Sequence, residues 1–244
     1  MIRQIYTGKI ETVTQVNHYM FDLTIHVDIP FLFKAGQFIS LFIDEKEARP
    51  LSLASSPRLS IDQQKIRLII GPHPEGKLIK YICSLKKGDP IRFRGAFGVF
   101  TLENTIFNGD IIEPKEISDS LVFAATSTGI APLLGMIEYL ADIKYQNKVR
   151  LYFGLRNQED ICFLEDFLRI KGSINFDYFY SISQLNNNMI NSQNISKGYI
   201  TQNILNNQSN KDYVYICGST KVVINVTDTL KENNYIKIFT ENYG

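Results

Sequence analysis

The chain has 244 residues, of which 44% are hydrophobic and 21% charged, and its net charge is +1. This near-neutral balance leaves no electrostatic footprint for nucleic acid or for an anionic membrane surface. No apolar run approaches the ~18 residues that a membrane span needs, and the length suits one large domain or two of medium size.

The first residues, MIRQIYTGKIETVTQV, alternate polar and apolar side chains and lack a signal-peptide core, so a cytoplasmic location is expected. Cys83, Cys162 and Cys217 are far apart and odd in number, which argues against a disulfide framework. An iron–sulfur cluster needs about four ligands, one more than the chain supplies. His18, His26 and His73 show no metal-ligand spacing and are expected on the surface or in loops.

From residue 4 to 95 the chain reads as short strands between turns. Residues 5–13 and 20–27 alternate with period two. QFISLFI (37–43), IRLII (66–70) and PIRFR (90–94) are β-rich runs punctuated by Gly36, Pro57, Gly71-Pro72 and Gly88-Asp89. About six antiparallel strands without long helices predict a closed barrel, which removes exposed edges. One short helix is expected over 76–85, with Leu78, Ile82 and Leu85 on its apolar side.

Two polar patterns stand out in this half. Arg49, in Arg49-Pro50-Leu51-Ser52, either clamps a phosphate bidentately or pairs with Glu45 or Glu47. Gly76-Lys77-Leu78 sits at a helix start, where backbone N–H groups and a cation suit a phosphate; simple capping is the alternative. The pattern then lapses over 104–119, and the boundary between two domains, 1–112 and 113–244, is placed there.

LVFAATSTGIAPLLGMIEYL (121–140) reads as a buried strand, a tight polar turn and a helix with Pro132 near its first turn. It is neither a GxGxxG turn nor a triphosphate loop, since no Lys follows the glycine. Further strands are expected at 149–153, 174–181, 213–217 and 236–239. Helices are expected at 159–170, 201–205 and 220–232, with an asparagine-rich loop (QLNNNMINSQN) after the third strand. Strands alternating with helices predict a doubly wound parallel sheet, whose ligands sit beyond the carboxyl ends of the strands. Thr126–Gly129, Gly154–Arg156 and Cys217-Gly218 all lie at such ends.

Taken in order, these segments resemble the ferredoxin–NADP reductase superfamily over nearly the whole chain. ARPLSLASSP resembles its R-x-Y/F-S flavin motif, and FKAGQF the segment before it. GKLIKYICSLKKGDPIRFRGAFGVF resembles the flavin-phosphate helix, strand and closing turn. FAATSTGIAPLLGM resembles the nucleotide turn, YFGLRNQEDICF the Y-G-x-R-x-x-x-D motif, YVYICGSTKVV the C-G-x-x-x-M segment, and TENYG the ending of bacterial reductases. Each match is weak alone; their shared order is what makes them specific.

The resemblance implies a flavin-binding antiparallel barrel followed by a nicotinamide-nucleotide domain, with FAD as cofactor and NADPH or NADH as co-substrate. Arg49 and its neighbours Pro50 and Leu51 would lie along the flavin, with Arg49 on its pyrophosphate. Ser52 would sit by the ring, with Leu68, Ile69 and Ile70 running along ring and ribityl chain. Gly76, Lys77 and Leu78 would hold the diphosphate. Thr126, Gly129 and Ile130 would bind the nicotinamide nucleotide. Cys217, with Gly218 after it, and Glu241 would reach the contact between the two rings, and Tyr243 would stack there. Ser52, Cys217 and Glu241 are thus the expected catalytic residues; no metal and no acid–base pair is required, because the flavin carries the electron chemistry.

Some positions depart from the pattern. Leu51 replaces the usual aromatic, and Ile79 stands where Ser or Thr often helps hold the phosphate, which implies looser FAD retention. Ala125 and Ser127 make the nucleotide turn less glycine-rich. Ile182 stands where NADP-specific relatives often place an Arg, with Lys197 the next cation, so the coenzyme stays open. Three functions follow as expectations. The first is an FAD-containing reductase that takes hydride from NAD(P)H and passes electrons to a separate carrier such as ferredoxin or flavodoxin, as a monomer or weak dimer. The second is a reductase that uses free flavin as substrate. The third is a noncatalytic binding protein that keeps the fold.

Overall fold

The computed structural model describes residues 4–71, 76–103, 105–107, 110–114, 119–185 and 194–243. Its N-terminal half is a six-stranded sheet. The strands are β1 (Ile5–Gln15), β2 (Phe21–Val27), β3 (Phe38–Phe42), β4 (Ala48–Ser52), β5 (Lys65–Ile70) and β6 (Pro90–Phe97), in the order β4-β3-β6-β1-β2-β5. Every neighbouring pair is antiparallel. The outer strands meet just past the end of β4, where Leu53 bridges Leu68 and the Ala54 N–H donates to the Arg67 carbonyl at 2.8 Å. That contact closes the sheet into the barrel that period-two alternation predicts, and Leu23, Ile25, Ile39, Leu41, Leu68 and Phe93 fill it.

Two elements here escape the sequence pattern. β4 carries Pro50 and the exposed Arg49, a combination that reads as a turn. Its only full-length partner is β3, and a proline is tolerated on such an edge. Helix α1 (Pro57–Gln63) is short, with Pro57 in its first turn and the Ser56 hydroxyl accepting from the Arg58 N–H at 3.3 Å. The helix expected over 76–85 is α2 (Lys77–Ser84). A hairpin, β7 (Thr105–Phe107) and β8 (Asp110–Ile112), lies in the stretch where the pattern lapsed.

The C-terminal half is a parallel sheet. Its strands are β9 (Leu121–Thr126), β10 (Val149–Leu155), β11 (Phe176–Ile182), β12 (Ile195–Lys197), β13 (Tyr213–Ser219) and β14 (Ile238–Tyr243), in the order β12-β11-β10-β9-β13-β14. Helices α3 (Ile130–Asp142), α4 (Leu164–Lys171), α5 (Ile200–Asn207) and α6 (Thr220–Glu232) complete it. Successive β9 side chains serve opposite faces. Leu121, Phe123 and Ala125 join the core on the α3 and α4 side, while Val122 and Ala124 join the one under α5 and α6.

The helix expected at 159–170 begins later than its pattern suggests. Residues 158–160 form a 3-10 turn held by an Asn157–Asp160 capping box, and α4 follows at Leu164. β14 runs to Tyr243, beyond the predicted 236–239. Residues 186–193 of the asparagine-rich loop, His73 and Gly244 lie outside the described residues. Among the described residues no helix is long and apolar enough to cross a membrane.

The two halves share an apolar seam. Met20, Ala35, Ala54, Ile69, Phe100 and Leu102 from the first half belong to the same core as α3. Gly135 makes this approach possible: a Cβ there would stand 2.7 Å from the Leu53 carbonyl oxygen. Around the apolar contact lies a charged one. Arg67 reaches Asp22 on its own sheet at 2.5 Å and Asp166 of α4 at 2.7 Å, while Glu138 of α3 receives Arg169 at 2.8 Å. Burial pushes the Glu138 carboxyl up.

Candidate functional site

Among the cavities that open along this seam, two lie at the ends of the parallel strands. The first, about 460 Å³, lies between the barrel and the end of the parallel sheet. The barrel contributes Phe38, Arg49, Pro50, Leu51, Ser52, Ile69 and Ile70, and α2 contributes Leu78. Thr128, Glu241, Asn242 and Tyr243 come from the other half. The Ser52 Oγ and Tyr243 Oη lie 2.6 Å apart, joining groups separated by 191 positions in sequence.

β14 runs parallel to β13, which sets Glu241 beside Cys217 and Tyr243 beside Ser219. Cys217 is 1% exposed. Burial pushes its thiol up to about 12, although a hydrogen bond with Tyr243 acts the other way, so it stays a neutral thiol. Burial also raises the Tyr243 phenol well above its usual range. Glu241 is the exception in reach: desolvation pushes its carboxyl from 4.5 to about 7, and its buried Oε2 has no hydrogen-bond partner among the described residues. A carboxyl that holds its proton near neutrality can donate a hydrogen bond into the cavity.

At the edge of this cavity sits a three-charge cluster. Glu47 accepts from the Lys77 ammonium at 2.8 Å and pairs with the Arg49 guanidinium. Lys77 opens α2, whose N-cap is Gly76. Of the two pairings that the sequence offered for Arg49, Glu47 rather than Glu45 is the carboxylate beside it.

The second cavity, about 810 Å³, lies over the carboxyl ends of the parallel strands. It takes Thr126 and Ser127 from the β9 turn, Gly154 to Asn157 after β10, Ser181 and Ser183 at the end of β11, Gly198 to Thr201 at the start of α5, and Ser219 and Lys221 at the start of α6. His18 and Tyr19, from the β1–β2 turn, form the barrel's side of it. The 3-10 turn Ser127–Gly129 presses against the end of β13. A Cβ on Gly129 would fall 2.2 Å from the Cys217 carbonyl oxygen, so only glycine allows this contact.

The electrostatics of this cavity are one-sided. Among the described residues Asp160 is its one lining carboxylate. It is fully buried, accepts from the Asn157 N–H at 3.0 Å and meets His18 Nδ1 at 2.8 Å. Among the described residues Arg156 and Lys221 have no carboxylate partner within ion-pair distance.

The structure brings most of the singled-out residues together. Arg49, Pro50, Leu51, Ser52, Ile69, Ile70, Leu78, Glu241 and Tyr243 share the first cavity, and Thr126 lines the second. Leu68, Gly129, Ile130, Cys217 and Gly218 stand behind the walls; Leu68 faces the barrel core and Ile130 the core of the seam. Ile182 is fully buried at the end of β11, and Ser183, the next residue, lines the cavity. Sequence reasoning missed Phe38, His18, Tyr19 and Lys221. Lys221 alone carried a usable signal, since it falls in the first turn of the helix after Cys217-Gly218.

The model for an oxidoreductase FAD-binding domain matches residues 7–102, and that for an oxidoreductase NAD-binding domain matches residues 123–228. The reductase component of propane 2-monooxygenase from Mycolicibacterium goodii is 26% identical over 199 residues, covering 79% of this chain and 53% of that protein. The ferredoxin–NAD(P)+ reductase component of the naphthalene 1,2-dioxygenase system of Pseudomonas putida is 26% identical over 159 residues, covering 65% and 44%. The chain thus spans about half the length of the curated relatives it matches. A ferredoxin NADP+ reductase from Neisseria gonorrhoeae, solved with bound FAD and NADP, superposes with a TM-score of 0.78 at 20% identity, covering 98% of both chains. An Amycolatopsis cytochrome P450 reductase gives 0.83 at 20% identity, covering 98% of this chain and 69% of that one.

Proposed function

We propose that the chain, whose two halves match oxidoreductase FAD-binding and NAD-binding domains, is a flavoprotein reductase of the ferredoxin–NADP reductase superfamily that carries electrons from NAD(P)H through FAD to a separate small carrier. The observation that carries this reading is the first cavity. It is built from both halves, its walls are largely apolar, and its polar groups converge from β4 and β14.

The donor set fits a flavin. Phe38, Leu51, Ile69 and Ile70 supply apolar walls for a flat ring system. Arg49, Lys77 and the first turn of α2 supply cations and backbone N–H groups for a diphosphate. When bound, the flavin accepts two electrons from a nicotinamide and releases them onward. The chain's own residues do the rest. Ser52 and Tyr243 orient polar atoms at the cavity floor, Glu241 holds a proton beside them, and Cys217 packs behind as a neutral thiol. Thr126 and Ser127 of the β9 turn would hold the nicotinamide nucleotide, with Gly218 packed against Thr126 behind them. Arg156 and Lys221, with no free carboxylate beside them among the described residues of the second cavity, favour a coenzyme phosphorylated on its adenosine ribose. A reader of the ribose 2′-hydroxyl would use an acidic side chain there, and Asp160 is already engaged. NADPH is therefore the donor in this reading.

The acceptor is a ferredoxin- or flavodoxin-type carrier, and the chain works in the cytoplasm, where NAD(P)H is supplied, as a monomer or weak dimer. A second reading, in which free flavin is itself the substrate, is favoured by the Glu47 contacts with Arg49 and Lys77. The visible spectrum of the purified, desalted chain, followed anaerobically through NADPH and NADH additions, tests both. Bound flavin bleached by nucleotide supports the first reading. A colourless chain that reduces added flavin supports the second. A colourless chain that neither binds nor reduces flavin overturns both.

A further inference from the structure

Glu47 faces the cations that the proposed flavin site would use for its phosphates. Its Oε2 accepts from Lys77 Nζ at 2.8 Å and its Oε1 pairs with Arg49. Its side chain is only 19% exposed, against 44% for Arg49 and 73% for Lys77, so it is the inner member of the cluster. The loop before it is built to hold it there. Asp44 Oδ1 accepts from the N–H groups of both Lys46 and Glu47 at 2.7 Å, and the Glu47 carbonyl accepts from the Ile43 N–H at 3.0 Å. Those bonds lock the β3–β4 turn and aim the following side chain at Arg49 and Lys77.

We propose that Glu47 is a built-in competitor for the phosphate groups of the flavin, so that flavin binds by exchange of one anion for another. This inference rests on the flavin reading above. A carboxylate and a phosphate both want the same N–H donors and the same positive charge. Each contact that Arg49 and Lys77 make with Glu47 must be given up or shared when a phosphate arrives. The surface ion pairs lost are individually weak, so the competitor lowers affinity without abolishing it. The consequence is a flavin that exchanges with solution, which suits its use as a substrate or as a loosely held cofactor.

The test is flavin binding by the full chain, stripped of flavin and followed by calorimetry at low salt, with FAD, FMN and riboflavin as probes. Glu47→Gln keeps the shape of the side chain and removes its charge. The expected result is FAD and FMN bound about threefold to tenfold more tightly than by the wild type, from the loss of one or two exposed ion pairs. Riboflavin, which has no phosphate, should be bound equally by both. Unchanged or weaker FAD binding by the variant would overturn the competitor role and make Glu47 an organiser of the two cations. A gain for riboflavin as large as for FAD would overturn it too, by showing an effect on the ring pocket. Failure of both proteins to bind any of the three probes would instead sink the flavin reading on which the inference rests. Glu47→Ala, measured beside a thermal melt, guards against a folding artefact of either variant.

Discussion

The two cavities treat positive charge in opposite ways. In the one against the barrel, Arg49 and Lys77 are already occupied by Glu47. In the one over the parallel sheet, Arg156 and Lys221 face the space without a carboxylate, and Asp160 is turned inward onto His18 and Asn157. The first arrangement softens the attraction for an incoming phosphate, and the second leaves it at full strength. The difference lies in side-chain pairing rather than in how many cations each cavity has. A count of Lys and Arg along the chain would rate the two alike.

The largest expected effect falls on the group that neither arrangement explains. Glu241→Gln should slow flavin reduction by NADPH about 100-fold, the scale for a small misplacement of the reacting rings; stopped-flow rates equal to the wild type would remove Glu241 from the site. The same residue marks the stability of the flavin-free chain. Its folded value of about 7 lies above the ordinary 4.5, so the native state keeps a proton that the unfolded chain releases. Stability is therefore fully present below about pH 4.5 and falls as pH rises to about 7, by on the order of 3 kcal/mol. Chemical denaturation across that window should show a shallower slope in Glu241→Gln than in the wild type; the raised Glu138 carboxyl adds to the slope in both.

The next effect probes the barrel side directly. Arg49→Ala should weaken FAD binding about 30-fold, as expected for a charge-assisted contact; an unchanged flavin content would refute the phosphate role. On the sheet side, Lys221→Ala should raise the KM for NADPH about tenfold and leave that for NADH within about twofold. Equal changes for both nucleotides would show that the cation does not read the ribose phosphate. The smallest effect is expected for Lys77→Ala, about threefold on FAD, because that ammonium is largely solvated. A larger loss than for Arg49→Ala would invert the ranking of the two cations.

Much of the scaffold was legible in the chain itself. Alternation in residues 20–27 fixes which side chains fill the barrel, and Leu23, Ile25 and Val27 do point inward. The strand–helix alternation after residue 120 gives a parallel sheet, because such crossovers place the next strand alongside in the same direction. β4 was not legible, since Arg49-Pro50 carries no strand signal and owes its conformation to pairing with β3. Nor was the depth of Ile182. That residue stands where NADP-specific relatives often place an Arg, yet the pleat turns it into the core and brings Ser183 to the cavity. The site fared similarly. Ser52, Glu241 and Tyr243 were named from motifs, but no spacing rule joins residues 191 positions apart.

Hydrophobic period and turn chemistry are local properties, and they set the two architectures and the segments that cap their strands. What those segments face is set by folding. Packing of α3 against the barrel brings Ser52 to Tyr243, and desolvation at that seam holds the Glu241 proton near neutrality. A turn locked by Asp44 sets Glu47 between Arg49 and Lys77. These are relations between distant groups in a shared low-dielectric space, and only the folded chain creates that space.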